Sequence, residues 1–190
     1  MRVRGGGRRA ALCAAALVLT SCAESTQGSP VASEDSSTES TTGALVPGEP
    51  FDPCTIPKSA VTASGLDVST ERPDFAGITT YPGWKNCTWD GLGMDSWYYV
   101  SVMSSINSMA EYLSSPQNDR QIPVMVGSRN AVQMHATYQG DPPDGCAIAI
   151  DASGNLLLIV LDTVGSEETM GDPCQAANKH AGELEPFLPK

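Results

Sequence analysis

The sequence predicts an α+β domain: a mostly antiparallel sheet packed with an N-terminal helix, a C-terminal helix and a short middle helix, and held by two disulfides. Three observations support this. Short apolar or alternating segments recur between turn residues, which is typical of strands in hairpins. Helix-start signals lie near both ends of the domain. Four cysteines are spread along it, Cys54, Cys87, Cys146 and Cys174.

Residues 1–21 have the pattern of a lipoprotein signal peptide. Arginines without any acidic residue precede an apolar run from Ala10 to Leu19. A membrane-spanning helix needs about 20 apolar residues, and this run is much shorter. The run ends in Leu19-Thr20-Ser21-Cys22, two small residues before a cysteine. We therefore expect cleavage before Cys22 and acylation of its thiol with palmitate-type chains. The alternative is an ordinary secretory peptide in which Cys22 is incidental.

Residues 22–50 are predicted to form a lipidated, disordered tether. The segment is rich in serine and threonine, contains three prolines and has no aromatic residue. Such a composition cannot bury enough apolar surface to offset the entropy lost on ordering. Residues 51–190 are then a single extracytoplasmic globular domain, of a size that is normal for one hydrophobic core. The expected location is the outer face of the cell membrane, with the lipid as anchor.

The net charge of the chain argues against some classes of binding partner. Its formal net charge is −11, and loss of the four signal-peptide arginines would bring the mature chain to −15. An acidic surface argues against binding of nucleic acid or of anionic lipid head groups. We expect no nucleic-acid partner, and contact with the membrane only through the N-terminal lipid. The solubility of an exported protein is a simpler explanation of the acidity than any acidic binding surface.

The domain begins with a short predicted helix and an irregular segment. Pro57 is well placed as a first helical residue, Ala60 and Val61 would face inward, and Gly65 would end the helix. The segment Leu66–Gly83 carries turn signals and little periodicity, so it is predicted to be a loop.

Two strands and a short helix follow. Trp84–Trp89 and Ser96–Met103 alternate like strands around a turn at residues 90–93. On the second of these strands the alternation would place Trp97 and Tyr99 on one face. Ser108–Ser114 has capping-box spacing and an apolar side, so it is predicted to be a helix.

Two hairpins and a helix complete the domain. The hairpins pair Gln121–Val126 with Arg129–Tyr138, and Cys146–Asp151 with Asn155–Asp162. Pro123 would place its strand at a sheet edge, because proline lacks a backbone donor. Leu156–Leu161 is apolar at every position, which predicts a central strand covered on both faces. Asp172-Pro173 is a helix-start signal, with the aspartate as cap.

The four domain cysteines are expected to form two disulfides in an oxidising compartment. Four cysteines allow three pairings. Cys54 and Cys174 each follow Asp-Pro at a helix start, and Cys87 and Cys146 lie on predicted strands. These contexts favour Cys54–Cys174 and Cys87–Cys146. A zinc site is disfavoured, because the cysteines are widely spaced with no histidine nearby. We expect no metal and no cofactor.

Several short sequence motifs occur along this chain. After the Leu19–Cys22 motif and the tether come Phe51-Asp52-Pro53-Cys54, Gly83-Trp84-Lys85-Asn86-Cys87-Thr88-Trp89, Val126-Gly127-Ser128-Arg129-Asn130-Ala131-Val132, Gly145-Cys146 and Gly171-Asp172-Pro173-Cys174. This arrangement resembles a family of actinobacterial, mycobacterial-type lipoproteins whose globular part is known only as a domain of unknown function. The resemblance implies an actinobacterial source and an outward-facing membrane location. It implies no activity and no catalytic residue.

No catalytic constellation is evident. The sequence has no Gly-x-Ser-x-Gly motif and no phosphate-binding glycine loop. His135 lies on a polar strand face and His180 lies off the apolar stripe of the last helix, so both are expected to be ordinary surface or half-buried histidines. We therefore expect no enzyme. The alternative is an exported enzyme with an unrecognised site, in which His135 acts with a nearby aspartate.

The aromatic residues offer one candidate ligand patch, made of Trp84, Trp89, Trp97 and Tyr99. Packing in the core or on the sheet is the simpler role for such residues. The expected function is a lipid-anchored extracytoplasmic binding or accessory lipoprotein of the cell envelope. Its partner would be an apolar ligand or an envelope protein. A purely structural envelope protein that acts by interaction alone is the remaining alternative.

Overall fold

A computed structural model describes residues 48–79, 81–93, 96–118, 120–136, 144–165 and 167–190. The predicted signal peptide, the acylation site at Cys22 and nearly all of the tether lie outside these residues. Within them, no helix has the length and apolar character needed to cross a bilayer.

The described residues form an α+β domain, as predicted, with one seven-stranded antiparallel sheet. The strands are β1 (Leu66–Arg72), β2 (Trp84–Gly91), β3 (Tyr98–Ser105), β4 (Ile122–Val126), β5 (Arg129–Ala136), β6 (Gly145–Ala152) and β7 (Asn155–Thr163). The helices are α1 (Lys58–Ala63), α2 (Met109–Leu113) and α3 (Pro173–Leu184), with short 3-10 helices at Pro53–Thr55 and Glu185–Phe187.

The sheet joins two meanders, β1-β2-β3 and β4-β5-β6-β7. Its order is β1-β2-β3-β7-β6-β5-β4, so the pairing of β3 with β7 connects the two halves. The prediction of a central strand at Leu156–Leu161 is confirmed, because β7 has neighbours on both sides. The edge position of Pro123 is also confirmed, because β4 ends the sheet.

The two faces of the sheet are covered differently. We call them the α3 face, on which α1, α3 and the first 3-10 helix pack, and the α2 face, on which α2 packs. Strand β7 shows the division: Leu157, Ile159 and Leu161 belong to the core of the α3 face, and Leu156, Leu158 and Val160 to that of the α2 face. Each face therefore has its own apolar cluster.

The helix starts follow the predicted signals. The Asp172 side chain accepts hydrogen bonds from the backbone N–H groups of Cys174 and Gln175, and this fixes the start of α3. Ser108 caps α2 by accepting from the N–H of Glu111 at 3.2 Å. Gly65 follows α1 with φ of 84°, a left-handed conformation that suits glycine at a helix end.

The prediction of a loop over Leu66–Gly83 is wrong in its first part, which forms β1. Only Leu66 is fully buried in this strand, and its other side chains are half-buried or exposed. Its pairing with β2 also shifts between Asp67 and Arg72. An irregular edge strand of this kind buries one face weakly, so it leaves no clear alternation in the sequence.

The predicted disulfide pairing is also wrong: the bonds are Cys54–Cys87 and Cys146–Cys174, not Cys54–Cys174 and Cys87–Cys146. Strands β2 and β6 lie three strand spacings apart, about 14 Å at the usual spacing. Disulfide-bonded Cα atoms lie within about 7 Å of each other. Each Asp-Pro-Cys segment is instead bonded to the strand beneath it, with Cα–Cα distances of 5.1 and 4.9 Å.

Candidate ligand-binding site

The α2 face is covered by α2 and by a strap, which we define as residues 73–83, with Thr80 outside the described residues. Hydrogen bonds tie the strap to the sheet at both ends. The Thr88 hydroxyl donates to the Asp74 carbonyl, and the Ser105 hydroxyl donates to the Gly83 carbonyl at 2.9 Å. Between these ties the backbones of Phe75 and Ile78 pair with each other. The strap thus covers part of the α2 face of the sheet.

A cavity of about 160 Å³ lies between the strap, α2 and the sheet, and we call it the aromatic pocket. Its walls are mainly apolar: Phe75, Tyr81, Trp84, Met103, Tyr112, Met134, Ala147, Leu158 and Val160. The rings of Trp84 and Tyr112 meet edge to face, with centroids 6.2 Å apart. Aromatic rings in this geometry present both faces and edges to a bound ring.

Three polar residues, Gln117, Asn118 and His135, also line the aromatic pocket. The Asn118 amide donates to the Tyr112 carbonyl at 2.7 Å and so fixes the chain after α2. His135 pairs with Cys146 across β5 and β6, so its side chain lies on the α3 face, where Nδ1 is buried and has no hydrogen-bond partner within the described part of the chain. An apolar pocket with a few polar groups at its edge is the usual form of a small-molecule site.

A second cavity, of about 530 Å³, adjoins the first, and we call it the acidic cavity. Phe75 and Tyr81 line both cavities and so stand between them. Its polar lining consists mainly of Tyr99, Asp144, Asp162, Thr163, Glu167 and Thr169. The acidic cavity is thus polar where the aromatic pocket is apolar.

Burial shifts the pKa of two groups that line the acidic cavity, Tyr99 and Asp162. Burial raises the pKa of Tyr99 to about 12, and the negative charge of Asp162 adds to this effect. Burial also raises the pKa of Asp162, Asp144 raises it further, and a hydrogen bond from Tyr99 opposes the shift. No ion pair within the described residues involves Asp144 or Asp162. Arg72, whose guanidinium lies over the Tyr99 ring at 5.7 Å from its centroid, is paired with Asp74 and Asp90 instead.

The residues of the predicted aromatic patch do not form one surface. Trp84 lines the aromatic pocket and Tyr99 lines the acidic cavity. Trp89 is fully buried on the α3 face, where its indole N–H donates to Glu71 at 3.2 Å. Trp97 precedes β3 and packs at the edge of the α3-face core against Tyr98. The structure divides the four residues equally between the two faces.

A signal for this division was present in the sequence. Trp84 and Trp89 are five positions apart on one strand, and an odd separation places two side chains on opposite faces. The other wall residues that lie on strands, among them Met103, Met134 and Ala147, come from four different strands, β3, β5, β6 and β7. Only the pairing of those strands brings them together.

His180 is a correction to the sequence analysis, because it lies in the core and not off the apolar stripe. Only 1% of its surface is exposed. Its Nε2 lies 2.9 Å from the Tyr98 hydroxyl, and its Nδ1 lies 3.9 Å from the Glu183 carboxylate. Burial, together with the positive charge of Lys179, lowers the pKa of His180 to about 4. The neutral ring therefore acts as a polar link between α3 and β3.

The alternative of a catalytic His135 stays a prediction. Within the described residues no ion pair joins His135 to a carboxylate, and no group of three potential metal ligands is assembled. Asp141, one aspartate near it in sequence, lies outside those residues.

Comparison with known proteins places the chain in a family. No curated protein and no solved structure matches it. One family model matches residues 17–186, a span that includes both cavities and both disulfides. The chain therefore belongs to the family described as "Protein of unknown function (DUF3558)".

Proposed function

We propose that this protein is a lipid-anchored extracytoplasmic binding or accessory lipoprotein of an actinobacterial cell envelope, and that its aromatic pocket holds an apolar group of its ligand. The observation that supports the binding proposal is the cavity itself, an apolar space lined by aromatic side chains. A well-packed core has few voids larger than a water molecule. A space of this size, open at one side to polar groups, is therefore suited to a guest.

The size of the pocket defines the guest. An apolar cavity of about 150 Å³ can hold a benzene molecule, and the aromatic pocket has a volume of about 160 Å³. Drug-sized ligands occupy cavities of about 300 Å³ or more. The guest is thus one ring or a short apolar chain, and not a whole lipid. Met103 and Met134 suit such a guest, because their flexible side chains adapt to its shape.

The anchoring part of the proposal is supported by the N-terminal sequence. The match to the family model begins at residue 17 and so includes the Leu19–Cys22 motif and the tether. Acyl chains on Cys22 would hold the domain at the membrane surface, because two or more chains give stable anchoring. The strongly acidic mature chain would be repelled by anionic lipid, so the anchor carries the attachment.

Fractionation of the expressing cells tests this anchor. Cys22→Ser removes the only thiol that the predicted cleavage would leave at the N-terminus, so the variant should leave the washed membrane fraction completely. Cys13→Ser is the matched control, because Cys13 lies in the predicted signal peptide. Retention of the Cys22→Ser protein in washed membranes would contradict the anchor.

Calorimetric titration with toluene tests the pocket. The protein is the full chain carrying Cys22→Ser, exported so that its disulfides form. Ala147 lines the aromatic pocket, so Ala147→Leu would place its extra carbons in the cavity and abolish binding. Ala110→Leu makes the same change on the exposed side of α2 and should leave toluene affinity unchanged. Absence of toluene binding to the unfilled pocket, or equal binding by both variants, would refute the proposal.

A further inference from the structure

Among the described residues, two side chains line both cavities of the α2 face: Phe75 and Tyr81. Both belong to the strap. Gly77 has φ of 79°, and Ala76 has φ of 51°, which is strained for a residue with a side chain. Phe75 and Tyr81 therefore lie on an irregular segment, and a modest shift of either ring would join the two spaces.

The acidic cavity has the chemistry of a cation site. Asp144 and Asp162 both line it, and neither forms an ion pair within the described residues. Arg72, the nearby cation, is already engaged, since its guanidinium lies 2.9 Å from Asp90 and 3.7 Å from Asp74. Both carboxyl groups are half-buried, and partial removal of a carboxylate from water without a cationic partner has a cost in free energy. A positively charged group in this cavity would remove that cost.

The hydrogen-bonding groups that line the acidic cavity would also orient a bound ligand. The Tyr99 hydroxyl bonds to Asp162, and the two residues face each other across the pairing of β3 with β7. Thr163 and Thr169 add hydroxyl groups to the lining. Hydroxyl and carboxylate oxygens together accept the several N–H bonds of an ammonium group. The cavity is thus arranged for an N–H donor that carries a charge.

We propose that the natural ligand is a cationic amphiphile, whose ring or short apolar end fills the aromatic pocket and whose amine enters the acidic cavity past Phe75 and Tyr81. This inference rests on the proposed binding function and adds the class of the ligand. The apolar end supplies most of the buried area. The amine sets the specificity, since it pairs with Asp144 and Asp162.

Three probes with one apolar part and different ends test the charge requirement: phenylbutylamine, phenylbutanol and phenylbutyrate. They are titrated into the exported full chain carrying Cys22→Ser. We expect the amine to bind about tenfold or more tightly than the acid, with the alcohol between them, because the amine gains and the acid loses an interaction with the carboxylates. Equal affinities for amine and acid would overturn the inference.

Isosteric variants test whether Asp144 and Asp162 cause the preference for the amine. Asp162→Asn and Asp144→Asn should each reduce the preference for the amine several-fold and leave phenylbutanol affinity unchanged. Two variants are used because either alone could disturb folding. Glu183→Gln is the control: it removes the same charge from an exposed residue of α3, on the other face of the sheet. The inference would be overturned if the preference for the amine survived in both asparagine variants, or if it fell equally in the control. Either result would mean that the amine is attracted only by the overall negative charge of the protein.

The two proposals can fail separately. If phenylbutanol binds but the amine shows no preference, the aromatic pocket is a binding site and the amine inference is wrong. If none of the three probes binds, the proposed binding function and the inference both fail.

Discussion

The two faces of one sheet are stabilised in different ways. On the α3 face, both disulfides bond covering segments to strands, and the core contains many residues with no exposed surface. On the α2 face, a five-residue helix and the strap form the cover, and hydrogen bonds, the Arg72–Asp74 ion pair and packing of Phe75, but no disulfide, hold the described part of the strap to the sheet. The cavities lie on this second face. The comparison indicates that one face is the more firmly held, and the other is the face on which we propose that a ligand binds.

Burial acts on ionisable groups of both faces in opposite directions. On the α3 face it lowers the pKa of His180, and on the α2 face it raises the pKa of Asp162. Both shifts favour the neutral form, which is what a low-dielectric environment requires. His180 has a neutral hydrogen-bond partner in Tyr98 and needs no counter-ion. Asp162 also has a neutral hydrogen-bond partner, Tyr99, but the second carboxyl group of Asp144 acts on it as well. This pair of carboxyl groups is why we propose that the α2 face would gain from a bound cation.

Removal of a disulfide gives the largest expected effect. Cys146 and Cys174 are 28 positions apart, and closing a loop of this length is worth about 3.5 kcal/mol in the chain-entropy model. The double variant Cys146→Ser/Cys174→Ser should lose that much free energy of unfolding in urea titration. A loss below about 1 kcal/mol would show that the α3 face does not depend on this bond.

Truncation of two leucines on one strand compares the faces directly. Leu161 is fully enclosed in the α3-face core, whereas Leu158 already borders a cavity. Leu161→Ala should cost about 3 kcal/mol and Leu158→Ala about 2, because the cost rises with the empty volume that is newly created. Chemical denaturation of the two variants measures this difference. Equal losses would mean that the two cores are packed equally well.

The pH dependence of stability tests the burial of His180. Its pKa is about 4 in the folded protein, below its ordinary value of 6.5. The unfolded chain therefore binds a proton that the folded protein does not, and the free energy of unfolding should fall as pH drops from about 6.5 towards 4, by about 3 kcal/mol in all. His180→Gln should remove this part of the slope. An unchanged slope in the variant would contradict the assignment.

The smallest expected effect concerns the strap. Thr88→Val keeps the shape of the side chain but removes the hydroxyl that donates to the Asp74 carbonyl. The same hydroxyl also lies 2.6 Å from the Ser101 hydroxyl, so loss of both hydrogen bonds should cost about 1 to 2 kcal/mol. Hydrogen exchange should speed up in the strap and stay unchanged in α3. Faster exchange in both would show that the two faces unfold together.

The sequence analysis succeeded where local chemistry decides the structure. Asp172 and Ser108 predicted the starts of α3 and α2, and the unbroken apolar run of β7 predicted its central place in the sheet. It failed where distant segments decide. Strand β1 depends on its pairing with β2, and the disulfide partners depend on the strand order.

The sequence analysis identified only part of the candidate site, for the same reason. Trp84 and Tyr99 each line one of the two cavities, but they were grouped with Trp89 and Trp97, which pack on the other face. The burial of His180 could not be seen either, because its partner Tyr98 is 82 positions away.

Methionine methyl NMR during a toluene titration tests the central claim, that the α2 face holds a binding pocket, most directly. Met103 and Met134 line the aromatic pocket, whereas Met125 and Met170 are exposed, at 60% and 72%. With carbon-13 label in the methionine methyls of the exported chain carrying Cys22→Ser, the signals of Met103 and Met134 should shift and saturate. Those of Met125 and Met170 should stay in place. No saturable shift at Met103 and Met134, or shifts confined to the exposed methionines, would contradict the account.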